Sequence, residues 1–225
     1  MWALDSGGFT ELNLHGKWTL SAKQYAAEVK RWQRDIGKLQ WAAVMDWMCE
    51  PFVLAKTSYS IGEHQRRTID SYRELLQLGP DLPWAPVLQG QRKGDYLRHL
   101  EQYDRAGFDL RSLPIVGLGS VCRRQGTAEA ERIIRTLTRL GVKLHGFGFK
   151  QKGTQNTWGV LTSADSMAWS LHARKRPALP GHKHKACNNC QVYALQWRDR
   201  LLSRCAAHAQ HRARMGVQME LPLVA

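Results

Sequence analysis

No apolar run in this 225-residue chain approaches the roughly 20 residues that a membrane-spanning helix needs, so nothing in it is expected to cross a bilayer. A secretory leader is not expected either: Met1-Trp2-Ala3-Leu4 is followed at once by Asp5 and glycines, not by a basic region and an apolar stretch. These absences predict a cytoplasmic protein. Cysteine is scarce, at 5 residues, and without secretion a disulfide framework is not expected. There is no phosphate-binding P-loop, so any ATP-driven opening of a duplex would fall to a partner chain. Acidic residues are the last shortage. Residues 1–120 hold 14 Asp and Glu against 15 Lys and Arg, whereas residues 121–225 hold 5 against 18. The net charge of +14 is therefore concentrated in the C-terminal half. Such an asymmetric excess is the usual footprint of a polyanion partner, the alternative being a basic but merely solvated surface.

What is present reads as alternating β and α. Strands are expected at Trp2–Asp5, Trp41–Trp47, Trp84–Gln89, Leu113–Leu118, Leu144–Phe149 and Ser163–Trp169, with helical patterns between them, the order that favours a parallel sheet. Tyr25, Val29, Trp32, Ile36 and Leu39 recur at steps of three and four behind Ser21 and Gln24, which read as a capping box. A second box at Ser60 and Glu63 opens a helix carried by Ile69, Tyr72, Leu75 and Leu76 and ended by Gly79-Pro80. A third helix is expected over about 94–106, and a fourth from Thr127 through Ile133, Ile134, Leu137 and Leu140 to Gly141. A basic stretch from Arg174 to Lys185 breaks the rhythm, an amphipathic helix is expected from about Gln191 to Ala209, and the end of the chain reads as a loose tail.

In parallel α/β folds ligands sit where strands end. The expected strand ends are Asp5-Ser6-Gly7-Gly8-Phe9, Asp46, Gln89-Gly90, Gly117-Leu118-Gly119, Gly146-Phe147-Gly148 and Asp165-Ser166. Two carboxylates on opposite sides of a sugar–base unit are what displacement at an anomeric carbon requires, one as nucleophile and one to move protons. A third carboxylate with an amide can read the edge of a guanine-like base, which offers N–H donors and an O6 acceptor. Each piece alone has a plainer reading, as an N-cap or a turn. Their recurrence at strand ends, in order along the chain, favours a site.

Asp5-Ser6-Gly7-Gly8-Phe9 resembles the DSGGF motif of the queuine tRNA-guanine transglycosylases, and the series Asp46, Gln89-Gly90, Gly117–Gly119, His145–Gly148 and Asp165 resembles that family's later strand-end motifs. With the segment from Cys187 to Trp197, the pattern resembles the DNA-acting branch, the deazapurine DNA modification proteins called DpdA. The resemblance implies a TIM (β/α)₈-like barrel and an exchange of guanine in DNA for a 7-deazaguanine base such as preQ0. Asp165 would be the nucleophile that forms a covalent glycosyl-enzyme, and Asp5 the general acid/base. Ser6, Gly7, Gly8, Phe9, Asp46, Gln89, Gly117, Leu118, Gly119, His145 and Gly146 would bind or shape the site of the base. Thr10, Met48 and His145 stand where the tRNA enzymes commonly carry Gln, Cys and Met. Because Asp5 already ends a strand, the expectation is a barrel lacking its first βα unit, completed by a partner chain or by upstream residues. The regions expected are a barrel over 1–173, a basic Cys/His segment with a helix over 174–212, and a tail over 213–225.

Cys49 and Cys122 stand alone and read as buried small hydrophobes. His184, Cys187 and Cys190, spaced by two, with a later histidine give the four N/S ligands of a structural Zn²⁺. His208 is the preferred fourth ligand, with His211 and Cys205 as competitors; these histidines could instead add only to a basic surface. The family carries a Cys₃His zinc site here, and Lys185 takes the place of its first cysteine, so His184 or His182 would have to substitute. Arg174, Lys175, Arg176, Lys183 and Lys185 are expected to hold a nucleic-acid backbone. A tRNA substrate, or a non-catalytic nucleic-acid-binding paralogue, are the rival readings.

Overall fold

The computed structural model describes residues 1–214. Seven short strands, all paired in parallel, occupy six strand positions: β1 (Trp2–Leu4), β2 (Leu39–Ala43), β3 (Trp84–Ala85), β4 (Val87–Leu88), β5 (Val116–Leu118), β6 (Leu144–Gly146) and β7 (Ser163–Ala164). β3 and β4 share one position. Ala85 pairs with Ala43 on one side, Val87 pairs with Gly117 on the other, and Pro86 between them has no N–H to give to a ladder. The ladders form two sheets, β1-β2-β3 and β4-β5-β6-β7, and the Trp41 ring of β2 packs on the His145 ring of β6 with centroids 4.6 Å apart. An eight-stranded barrel is not what these elements make: among the described residues no ladder joins β1 to β7.

Helices α1 (Gly8–His15), α2 (Ala22–Ile36), α3 (Pro51–Thr57), α4 (Ile61–Leu78), α5 (Lys93–Arg105), α6 (Ala128–Arg139), α7 (Gln151–Asn156), α8 (Ala168–Arg174) and α9 (Gln191–Arg214) follow or lie between the strands. Ser21 forms the expected capping box, its Oγ accepting from the Gln24 N–H while Gln24 Oε1 accepts from the Ser21 N–H at 2.9 Å. Ser60 caps α4 through the Glu63 N–H at 3.1 Å, but the box is not completed: the Glu63 carboxylate is taken by Arg66 and Arg67. On α2 the buried face ends at Val29. Ile36 is 64% exposed and Leu39 already belongs to β2. α6 is capped by Thr127 and followed by Gly141 at φ +89°, a left-handed position suited to glycine.

One core joins the inner sides of α2, α4, α5 and α6 to the sheet, each fully buried large aliphatic contributing about 1.5–3 kcal/mol. Buried tyrosines tie helices to the strand region through main-chain carbonyls: Tyr25 donates to Ala43 O (2.8 Å), Tyr103 to Val87 O (3.2 Å) and Tyr96 to Gly119 O (2.8 Å). The strand expected over Ser163–Trp169 stops at Ala164, because Ser166 Oγ accepts the Ala168 N–H at 3.2 Å and turns the chain into α8. A smaller core of Ala173, Cys187 and Tyr193 holds α8, the basic loop and α9 together. α9 runs five residues beyond the expected Ala209 and includes Ala213 and Arg214; the remainder of the expected tail lies outside the described residues. No described helix is long and apolar enough to cross a membrane.

Candidate active site

The residues that follow β1, β2, β4, β5, β6 and β7 meet around a cavity of about 240 Å³ at the C-terminal ends of the strands. Of the residues expected there, Asp5, Ser6, Gly8, Phe9, Asp46, Gln89, Gly119 and Asp165 line it. Gly7 does not; at φ +78° it turns the chain into α1. Gly117, Leu118 and Gly146 lie beneath the cavity and serve packing. A Cβ on Gly117 would stand 2.5 Å from the Phe147 ring, and one on Gly146 would stand 2.6 Å from the Phe149 ring. His145 is buried between the rings of Trp41 and Phe147 and reaches Asp165 instead of the cavity.

The three aspartates are held in different electrostatic states. Asp46 is almost fully buried. Desolvation, then the neighbouring charge of Asp5, push its pKa up to about 7, against the hydrogen bonds it accepts from Ser6 Oγ at 2.9 Å and from Gln89 Nε2. The Asp5 pKa is also raised, by desolvation and then by Asp165, with the backbone N–H groups of Ser6 and Gly7 opposing. Asp165 goes the other way. Burial works against its ionisation, but His145 and the Gly148 N–H (2.8 Å) outweigh it and hold its pKa below the ordinary carboxylate value. His145 Nε2 lies 3.4 Å from Asp165 Oδ1, while its Nδ1 lies 2.8 Å from Ser163 Oγ. With Nδ1 accepting the Ser163 hydroxyl proton, the Nε2–H of His145 faces the carboxylate. Two carboxyl groups in one cavity with pKa values pushed apart are the arrangement that separates a nucleophile from a general acid.

Gln89 is held at both ends. Its main-chain N–H donates to His99 Nδ1 at 2.9 Å and its carbonyl accepts from Gln65 Nε2 at 2.7 Å, with burial depressing the His99 pKa to about 3 so that the ring stays neutral. Its side-chain NH₂ is on Asp46, and its Oε1 lies 2.5 Å from Ser120 Oγ. Gly119 is required beneath it, since a Cβ there would fall 2.1 Å from Gln89 Nε2.

Met48, Glu50, Ser120, Cys122, Phe147, Gly148 and Met167 complete the lining. Phe147 and Gly148 belong to an expected strand end, whereas Glu50, Ser120, Cys122 and Met167 are not among the expected site residues. Ser120 Oγ accepts the Cys49 N–H at 2.7 Å and also lies 2.9 Å from Glu50 Oε2. One hydroxyl proton cannot serve both Gln89 and Glu50. Burial raises the Glu50 pKa, and the Ser120 hydroxyl works against that shift. Cys49 is fully buried as expected, but Cys122 is half-buried in the cavity wall, its thiol pKa raised by desolvation and then by Glu50. At the rim, Arg123 lies over Phe52 (4.4 Å to the centroid) and Phe9 (5.8 Å), making a cationic, aromatic lip.

In the basic loop, His182, His184, Cys187 and Cys190 bring one donor atom each to within 4.8 Å of one another. His184 Nε2 stands 3.0 Å from Cys187 Sγ, and His182 Nδ1 stands 3.5 Å from Cys190 Sγ. The Cys187–Cys190 turn is closed by the Cys190 N–H on Cys187 O at 3.1 Å, and Cys187 Sγ also accepts the Leu179 N–H at 3.3 Å. Two thiols and two imidazoles this close fit a tetrahedral metal ion. His208, expected as the fourth ligand, is outside the group, as are His211 and Cys205; His182 takes the place because it lies in the same loop, whereas the others are fixed along α9. Arg174, Lys175, Arg176, Lys183 and Lys185 are all exposed around this loop.

Fold and cavity together define a parallel α/β protein with a carboxylate-lined site at its strand ends. A family model described as DpdA, DeoxyPurine in DNA protein A, matches residues 1–219. The chain belongs to this family, which ties it to deazapurine modification of DNA and to transglycosylase-type chemistry. No curated protein matches it.

Proposed function

We propose that the chain is a DNA-guanine transglycosylase that replaces guanine with a 7-deazaguanine base. The observation that carries this reading is the opposed shift of two carboxyl groups in one cavity, Asp165 kept ionised and Asp5 kept protonated more readily. Asp165 attacks C1′ of a nucleotide that has left the stack. The bond from C1′ to guanine N9 breaks as the bond to Asp165 forms, and Asp5 supplies the proton to the departing base. The incoming deazapurine loses a proton to Asp5 and displaces Asp165. The phosphodiester chain is never cut. Asp46 and the fixed Gln89 amide support recognition of the base, Phe9 and Gly8 bound its plane, and Arg174, Lys175, Arg176, Lys183 and Lys185 support a grip on the backbone. A Zn²⁺ on His182, His184, Cys187 and Cys190 would stiffen that basic loop.

Substrate choice is tested by comparing labelled-guanine exchange on duplex DNA and on a tRNA pool. Exchange confined to DNA is expected; exchange on tRNA alone would overturn the assignment. Asp46 makes a further prediction about pH. The base offers N–H donors, which only the ionised carboxylate accepts from both oxygens, so affinity for free guanine rises as Asp46 loses its proton near pH 7. Equilibrium dialysis should show Kd falling by up to about tenfold per pH unit below that point and levelling above it. Asp46→Asn should flatten the curve. A Kd already flat in the wild type from about pH 5 to about pH 9 contradicts the role.

A further inference from the structure

Outside the carboxylate pocket, α8, the turn that follows it and α9 enclose a second cavity, of about 640 Å³. Its wall on α9 is a single helical stripe, Tyr193, Trp197, Arg200 and Arg204, spaced by four, three and four, and Arg176 and His172 face it from the other side. Tyr193 is 5% exposed and its hydroxyl lies 2.5 Å from His172 Nδ1. The Arg200 guanidinium stands over the Tyr193 ring at 6.0 Å, and Arg204 Nη1 donates to Gln151 Oε1 at 3.3 Å.

The charges here are not neutralised. Elsewhere on the surface arginines answer carboxylates on their own helices, as in Arg31–Glu28, Arg73–Asp70, Arg105–Glu101 and Arg132–Glu129. Among the described residues, Arg176, Arg200 and Arg204 form no ion pair with a carboxylate. Their repulsion is felt locally: desolvation, then Arg176 and Arg200, lower the His172 pKa. Three guanidinium groups lining one cavity beside a flat aromatic wall are complementary to phosphate oxygens, which guanidinium binds in a fixed fork geometry.

Position supplies the rest. Met167 lines the carboxylate pocket and His172 lines this cavity, five residues or about 7.5 Å of helical rise apart. We propose that the cavity seats backbone phosphates of the DNA strand beside the nucleotide that enters the pocket, with Arg200, Arg204 and Arg176 as the phosphate ligands and Trp197 as a flank for a neighbouring base. The seat rests on the transglycosylase reading only for the name of its polyanion.

The test is the salt dependence of binding to a duplex oligonucleotide. Each phosphate contact adds about 0.9 to the slope of log Kobs against log salt, so Arg200→Gln with Arg204→Gln should reduce that slope by about 1.8. Arg200→Lys with Arg204→Lys should retain it. Arg198→Gln is the control on the same helix, since Arg198 pairs with Asp199 at 3.3 Å and does not line the cavity; its slope should not change. Circular dichroism of each variant checks the fold. An unchanged slope in the double Gln variant overturns the seat, as does thermal protection of the wild type by inorganic phosphate with no effect of the variants on DNA, which would mark a site for free phosphate. Binding is read apart from catalysis. A chain that exchanges no base but loses slope in the double variant sinks the transglycosylase and keeps the seat, whereas full exchange with an unchanged slope does the reverse.

Discussion

Asp165→Asn is expected to lower base exchange on DNA by on the order of 10⁴-fold or more while leaving DNA binding intact, as removal of a covalent nucleophile does. The amide has nearly the same shape, and it can still accept the Gly148 N–H that now reaches Asp165 at 2.8 Å, so the fold should hold. What it loses is the negative charge that His145 and Gly148 stabilise against burial. Single-turnover release of guanine measures the effect at the bond-breaking step. Asp5→Asn should differ in kind. Without an acid, departure of guanine slows, yet an ionised Asp165 remains, and the loss should be smaller, on the order of 10²- to 10⁴-fold. Equal retention of activity in both variants would mean that neither carboxylate touches the reaction.

Loss of the metal is the second large effect. The purified chain is expected to carry about one equivalent of zinc. Cys190→Ala should abolish it, because three remaining ligands on a short exposed loop do not hold the ion, and structural zinc in small sites is worth about 10–16 kcal/mol of local folding free energy. Cys187 belongs to the small core with Ala173 and Tyr193, so the damage should spread to the packing of α8 against α9 and stop there. Hydrogen exchange should quicken over about 173–197 with the main core unchanged. Metal analysis and exchange mass spectrometry read both. Zinc absent from the wild type, with chelator leaving exchange unaltered, contradicts the site. His182→Ala separates this ligand set from the one expected from the sequence: it should release the metal, and His208→Ala should not.

The sheet was legible because its central strands, β3 to β6, are buried along their length and the strands read as short apolar runs, and all six expected runs overlap a strand. Their polar ends were legible for the same reason, as carboxylates and glycines that an apolar run does not need. Glu50 and Ser120 were not. A glutamate before Pro51 reads as the residue ahead of a helix, and what makes it part of the site is contact with a residue 70 positions away. Gly117 and Gly146 matched a motif at strand ends, but only coordinates reveal that aromatic rings of Phe147 and Phe149 occupy the space a side chain would need. α1 and α3 escaped notice because one is a weakly amphipathic helix begun by glycine and the other spans only 7 residues. His208, expected as a fourth metal ligand, lies outside the His/Cys cluster for a geometric reason. A histidine three to five residues from a thiol in a loop can fold onto it, whereas one far along a continuous helix cannot.

The most direct test of the account is incorporation of a labelled 7-deazaguanine base into duplex DNA by the purified chain, read together with the integrity of the strand. The account predicts that label enters the DNA, that guanine is released in equal amount, that the strand stays uncut, and that Asp165→Asn does none of this. Label entering only tRNA, guanine released with strand breakage, or undiminished incorporation by Asp165→Asn would each contradict it.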